Sequence, residues 1–560
     1  MNWRISLRSE KERVACVQNG MTRFCTAASR FLTGVWVFLM LAVFPLYVKD
    51  GYRGIGEGKY RFFLAACLYC LLPAGICGML AFWGKEGMRG LRRLSVFLGP
   101  PDRAMLAYLA VSAFSWYMSV DRKQAWLGAD GWFMGLSTQA LLVLSYFLVS
   151  RCFSWNRAVL WGYFLGSGTV FLLGILHRFG IDPLGLYEGV DAPYRLLFLS
   201  TVGQASWYSS YVCVVLTLGV SLFLLADKTA YRFGLGAFCM LGFSTLVTQN
   251  SDSAFAATAF LLFGVFLAAC DSLDGMERFL ELTLLMLGSF KVTGILQMIF
   301  ADRAVRLGGL SEFLSQGFAT WFAFLAVCVV YMFFLYWRKK NPDRQELKGG
   351  RFWRKFAAGT VAAAVLGYVG LLWMNTAGVL EKWFGSGSRN QYLLFDQYWG
   401  NSRGFTWKFA VEAFGAFPFF RKFFGVGPDC FSAYCYQEPA LGAALNHYFG
   451  WDQTLTNAHN EFLNILFCMG IMGLAAFVWL LAAAFRSFWE KRKTEPLALT
   501  GILVVMVYSA HNFFCYQQVC CTPFLFLLLG AACRPAAFMQ IRQSGKISKK
   551  RQESGRRKDT

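Results

Sequence analysis

Apolar runs of about 17 to 23 residues recur along nearly the whole chain, with short polar connections between them. A run of that length, wound as a helix, crosses a hydrocarbon core of roughly 30 Å. The pattern predicts about fourteen spans, over residues 31–48, 62–83, 104–120, 132–150, 158–176, 205–226, 233–248, 253–270, 280–300, 316–337, 356–374, 462–485, 497–513 and 522–539. In lipid a spanning segment must satisfy its own backbone, and a helix does this within one segment. The expected fold class is therefore all-α, a polytopic integral membrane protein.

The first apolar run begins some thirty residues in, is long for a signal sequence and has no small-residue cleavage site, so it is expected to remain as the first span. One membrane domain is then expected over 31–540, between a basic amino-terminal stretch, 1–30, and a basic tail, 541–560. The composition agrees. Of 560 residues 56% are hydrophobic and 15% charged, more apolar than a soluble chain of this size.

The net charge of +22 raises the question of nucleic acid. Alternate connections, counted from the amino terminus, hold about 37 of the 54 lysines and arginines and the opposite set about 16, with Lys291 inside a span. Under the positive-inside rule both termini face the cytoplasm of a cell-membrane protein. The basic stretches 89–93, 338–355 and 542–558 lie beside span ends, where anionic lipid attracts them. Membrane lipid is thus the expected partner of that charge, and no nucleic acid is expected.

Two connections on the expected outer side are long, 177–204 and 375–461, and long irregular segments commonly carry function. Within the second, 406–420 has the apolar spacing of an amphipathic helix, with Trp407, Ala410, Val411 and Phe414 on one side. Phe423-Phe424-Gly425-Val426-Gly427-Pro428-Asp429 follows, a glycine-proline break that is either a plain turn or a place where backbone meets a ligand. The connection ends in Asn457-Ala458-His459-Asn460-Glu461, where a new apolar helix begins.

Of the four histidines, His177, His447, His459 and His511, His459 has the most suggestive setting. Expected in the first turn of a span, it meets a positive helix terminus that disfavours the imidazolium and keeps a neutral base. Asn457 is placed to cap that helix and Glu461 to sit in its first turn. The other reading is a capped interfacial helix that happens to begin with histidine.

Arg389, Arg403 and Arg421 share the outer connection, and guanidinium binds phosphate in a two-pronged geometry, although most loop arginines are simply solvated. The outward acids Asp252, Asp396, Asp429 and Asp452 are scattered, so no metal and no other cofactor is expected. The 17 cysteines read mostly as small core residues, with Cys430 and Cys435 close enough in sequence to pair in an oxidising compartment. Lys291, ionisable within a span, is either functional or a snorkelling side chain.

The run Thr456 to Leu466, with its trailing Gly470-Ile471-Met472-Gly473, resembles the His-Asn segment of the O-antigen ligase and polymerase family of membrane glycan transferases. Ala125-Trp126-Leu127-Gly128, Val202-Gly203-Gln204-Ala205-Ser206, and Ser402-Arg403-Gly404 leading to Phe424-Gly425-Val426-Gly427 fit the same family in order. The resemblance covers most of residues 105–530. It implies metal-independent, inverting transfer of a glycan from an undecaprenyl-pyrophosphate carrier to an acceptor hydroxyl on a glycan, a lipid or a protein, in the assembly of cell-surface polysaccharide. Carried over, His459 is the base, Arg403 steadies the pyrophosphate, and Arg389, Asn460, Glu461, Gly425, Gly427 and Gln204 line the substrates.

One departure stands out. Where the family commonly has a Ser-Arg pair, this chain reads Asn250-Ser251-Asp252-Ser253. A carboxylate there repels pyrophosphate, so another cation such as Arg389 or Arg195 takes the role, the donor differs, or this copy is inactive. The rival from another class is a transporter or flippase of lipid-linked glycan, which Lys291 favours and the lack of an internal repeat disfavours.

Overall fold

The computed structural model describes residues 2–92, 98–344, 346–385, 387, 390 and 392–534, with 2–19, 85–92 and 193 described by backbone alone. The predicted basic tail and Arg389 lie outside the described residues. Helices make up the fold. The strand content among the described residues is one antiparallel pair, Phe198–Leu199 with Gly203–Gln204, in which Phe198 faces Gln204.

Within the described residues each of the apolar runs overlaps a helix. Among the described residues nine helices are long and apolar enough to cross a membrane: Gly20–Val43, Ile55–Gly84, Arg157–Arg178, Ala205–Leu225, Thr229–Thr248, Leu273–Ile299, Phe318–Lys340, Gly350–Thr376 and Glu461–Lys491. Leu136–Cys152, Ser253–Ala269, Ala498–Asn512 and Thr522–Ala532 are apolar but shorter. Pro100–Tyr117 packs along Glu461–Lys491.

Burial sorts these helices. Ala205–Leu225, apolar all round, is covered on nearly every side and forms the centre of the bundle. Phe318–Lys340 and Gly350–Thr376 expose almost all of their apolar surface, including Phe322 and Leu366, as hydrocarbon-facing helices do. Lys291 is pinned between elements: its Nζ donates to the carbonyls of Ser315 at 3.0 Å and Gly317 at 2.8 Å, and it lies over the Trp321 ring. Those contacts hold the buried ammonium in place inside the bundle.

The segment between Thr376 and Glu461 is folded into short helices, Val379–Phe384, Trp399–Gly415, Phe419–Phe424, Phe431–Gln437 and Pro439–Phe449, and is less irregular than its sequence suggested. The amphipathic helix ends at Gly415, ahead of Phe417-Pro418, and not at Phe420. Its buried face is Thr406, Phe409, Ala410 and Ala413, while Val411 points outward. Cys430 and Cys435 are buried free thiols.

The predicted span 462–485 is one helix broken in two. Gly470 has φ 69° and ψ −171°, a region open essentially to glycine alone. Gly425, with φ 71° and ψ −157°, occupies the same region. The two breaks interlock. A Cβ on Gly425 would sit 2.2 Å from the Cys468 carbonyl oxygen, and one on Gly470 would sit 2.2 Å from the Phe423 carbonyl carbon. The Cys468 carbonyl, orphaned by the break, accepts from Val426 N at 3.0 Å, Gly427 N at 2.8 Å and Ser115 Oγ at 3.1 Å. A half-helix, residues 461–469, is thereby fixed to the 423–427 crossing, and His459 stands at its head.

Candidate functional site

His459 lies just outside the helix. The N-cap is Asn460, whose Oδ1 accepts from Leu463 N at 3.1 Å; Asn457 instead accepts from His459 N at 2.9 Å and bends the chain one step earlier. The two asparagines hold His459 at φ 49°, a left-handed conformation uncommon for a non-glycine residue. Its ring stands edge-on to Tyr516, with centroids 5.1 Å apart, and among the described residues it makes no hydrogen bond.

Arg403 follows three consecutive left-handed residues, Gly400, Asn401 and Ser402, a turn that throws its side chain inward. Nε donates to the Phe514 carbonyl at 2.9 Å and Nη1 to the Gly400 carbonyl, leaving Nη2 without a hydrogen bond among the described residues. The stretch 514–516 thus holds both groups, Arg403 through a carbonyl and His459 through a ring. Burial holds the His459 pKa down to about 3, and the Arg403 charge adds to the effect. Burial also lowers the Arg403 pKa, against the neighbouring Cys515, Tyr516 and Asp252.

Asp252, where the resemblance calls for an arginine, accepts from the Tyr392 hydroxyl at 3.1 Å and lies within the electrostatic reach of Arg403. Arg195, offered as a substitute cation, is exposed and donates to the Val190 carbonyl at 2.8 Å.

Of the other residues expected at the site, Asn460, Glu461, Gly425 and Gly427 are engaged within the protein. Asn460 caps. Glu461 is buried and accepts from Gln517 Nε2 at 2.9 Å, Tyr508 at 3.2 Å and Asn512 Nδ2. Gly425 and Gly427 face Cys468 and Ser119 at distances that leave no room for a ligand. Gln204 precedes the first turn of Ala205–Leu225, with Oε1 buried and without a hydrogen bond among the described residues.

The remaining histidines differ from His459. His177 Nδ1 accepts from Ser200 N at 3.0 Å. His511 Nε2 lies 2.8 Å from Ser209 Oγ and 3.2 Å from Ser253 Oγ, and its Nδ1 lies 3.0 Å from Asn512 Oδ1. His447 is exposed on Pro439–Phe449.

A family model described as O-antigen ligase matches residues 304–478, which take in Arg403, the glycine crossing, His459 and Gly470. Over this stretch the chain is similar to the O-antigen ligase family. No curated protein matches the chain. With several helices able to cross a membrane, the coarse function is membrane glycan processing of the ligase or polymerase type.

Sequence reasoning missed Tyr516, Trp132, Trp207 and Gln517. Trp132 stands edge-on to Tyr516 at 4.8 Å and to Trp207 at 5.1 Å, and donates from Nε1 to Thr456 Oγ1 at 2.6 Å. These residues come from two distant connections and the first turn of Ala205–Leu225, and no local pattern in the sequence joins them.

Proposed function

We propose that the protein transfers a glycan from an undecaprenyl-pyrophosphate carrier to an acceptor hydroxyl at the outer face of the cell membrane. The observation that carries this reading is the unbonded, neutral imidazole of His459 set in the field of Arg403, with both held by residues 514–516.

An unprotonated ring nitrogen of His459 takes the acceptor hydroxyl proton as that oxygen bonds to the anomeric carbon. The bond from that carbon to the diphosphate breaks on the opposite face, so the anomeric centre inverts. The negative charge left on the carrier diphosphate is met by Arg403 Nη2, so the charge can be stabilised by the protein's own cation and without a metal. General-base assistance of this kind contributes about 10² to 10⁴ in rate.

A base with a pKa of about 3 is weak while the site is empty. Part of that depression comes from Arg403, and a bound diphosphate neutralises this cation and restores basicity to His459. The base is therefore strengthened when donor is present.

The test is His459→Ala in the intact, reconstituted protein, with carrier-linked glycan as donor. Transfer should fall at least 100-fold with membrane insertion unchanged. Near-normal transfer removes His459 from the reaction, and so does labelling that places residue 459 on the cytosolic side. Carrier lipid moving between leaflets with no bond formed would replace the transferase reading by transport.

A further inference from the structure

Beneath the loop that carries His459 lies a pocket of about 20 Å³, enough for a single water or hydroxyl. Trp132, Gln139, Asp429, Asn457, Tyr516 and Gln517 are among the residues that line it. Two of these link it directly to the proposed base: Asn457 bends the chain at His459, and Tyr516 packs on the His459 ring.

Its polar groups are partly unspent. Asp429 is buried in a left-handed conformation at φ 56°, and its Oδ2 accepts from Ala129 N at 2.7 Å and Met134 N at 3.0 Å. Nothing among the described residues hydrogen-bonds Oδ1. Gln139 is 3% exposed; its Nε2 donates to the Met134 carbonyl at 3.0 Å, while its Oε1 has no hydrogen-bond partner among the described residues. A buried acceptor left without a hydrogen bond is unfavourable, so a donor from outside the chain is favoured there. The two waiting oxygens accept hydrogen bonds, and Trp132 and Tyr516 supply aromatic walls. Burial raises the Asp429 pKa to about 7, so this carboxyl also changes its protonation near neutrality.

We propose that this pocket is a subsite for a hydroxyl of a neutral sugar on the acceptor side, with Asp429 Oδ1 and Gln139 Oε1 as its hydrogen-bond acceptors. The role on the acceptor side rests on the transferase reading above; the sugar-binding property does not. A hydroxyl lodged here is held next to the loop that carries the base, which orients the rest of the acceptor toward His459. Asp429 and Gln139 are positioning residues in this account, and the proton is still taken by His459.

Saturation-transfer difference NMR on the intact protein in nanodiscs, with methyl glucoside, methyl galactoside, methyl mannoside and methyl N-acetylglucosaminide as probes, tests this. Asp429→Asn keeps an oxygen for the two backbone donors and turns the unbonded oxygen into a donor; Gln139→Met removes the unbonded amide oxygen. At least one glycoside should give a signal with the wild-type protein, reduced at least threefold in both variants and retained in His459→Ala. In transfer assays the two variants should raise the acceptor KM about tenfold, with donor KM and kcat within about twofold. No glycoside signal from the wild-type protein marks the pocket as a water site and overturns the proposal, as does a signal or acceptor KM unchanged in both variants. Loss of transfer in His459→Ala with glycoside binding unaffected leaves each conclusion separately standing. Retained transfer in His459→Ala defeats the base alone.

Discussion

Gly470→Ala tests the architecture of the site without touching any group that reacts. At φ 69° and ψ −171° an alanine pays about 1 to 3 kcal/mol in backbone strain. Its Cβ would also stand 2.2 Å from the Phe423 carbonyl carbon, an overlap that only backbone movement relieves. Alanine further prefers the uninterrupted helix by about 1 kcal/mol over glycine. The three effects act in one direction, toward straightening the 461–491 helix and withdrawing residues 461–469 from the 423–427 crossing. A shift of about 3 kcal/mol is a factor of more than 100 in population. Transfer in proteoliposomes should fall about 100-fold or more while the amount of membrane-inserted protein changes little. Gly359→Ala, on an exposed helix where a Cβ meets nothing within 4 Å, is the matched control and should be neutral. If Gly470→Ala transfers at the wild-type rate, the broken helix does not position His459 and the geometry of the site has been misread.

Arg403→Lys keeps the charge but loses the fork that reaches both the Phe514 and Gly400 carbonyls, so donor KM should rise tenfold or more; an unchanged donor KM counts against the anchor. Asp252→Asn removes a negative charge from the field of Arg403, and at about 1 kcal/mol the donor should bind about fivefold tighter, measured by KM at low ionic strength. With its pKa held down from 6.5 to about 3, His459 stays neutral in the empty protein across pH 5 to 8, so kcat/KM should show no acid limb from this group in that range. The sign for stability is that the unfolded chain takes up a proton below about pH 6.5 that folded His459 refuses, so this group lowers stability on acidification. Asp429 acts oppositely: its pKa is raised from 3.8 to about 7, so its contribution is full below about pH 4 and lost as pH rises through 7, and thermal unfolding of Asp429→Asn should lose that component.

The membrane class was legible because a spanning helix writes its length directly into the sequence as an apolar run, and within the described residues those runs overlap helices. The His459 segment was legible for a related reason, since Asn457, Asn460 and Glu461 all act within a few residues of His459. Two of the roles were placed too far along the helix: Asn460, three residues after Asn457, is the cap, and His459 precedes the helix. Periodicity cannot distinguish these cases, because a cap is decided by which asparagine finds a free N–H. Glu461 does sit in the first turn, as expected. What its neighbours in sequence do not record is that Tyr508, Asn512 and Gln517 arrive from some fifty residues downstream to surround it.

The glycines show most clearly what sequence can and cannot give. Gly425 and Gly470 stand 45 positions apart, and each alone is compatible with a turn, a ligand contact or a small-residue packing site. What they do depends on both together: each removes the side chain that would keep the other's backbone away, and the crossing that results breaks the helix and leaves the Cys468 carbonyl for Val426, Gly427 and Ser115 to satisfy. Neither glycine is free to meet a substrate, yet both are needed for one to be met. The break gives the head of the half-helix a fixed direction, the asparagines fix the one residue beyond it, and the distant 514–516 stretch brings Arg403 to the same place. The geometry of the proposed site comes from backbone contacts that a sequence records only as the absence of side chains.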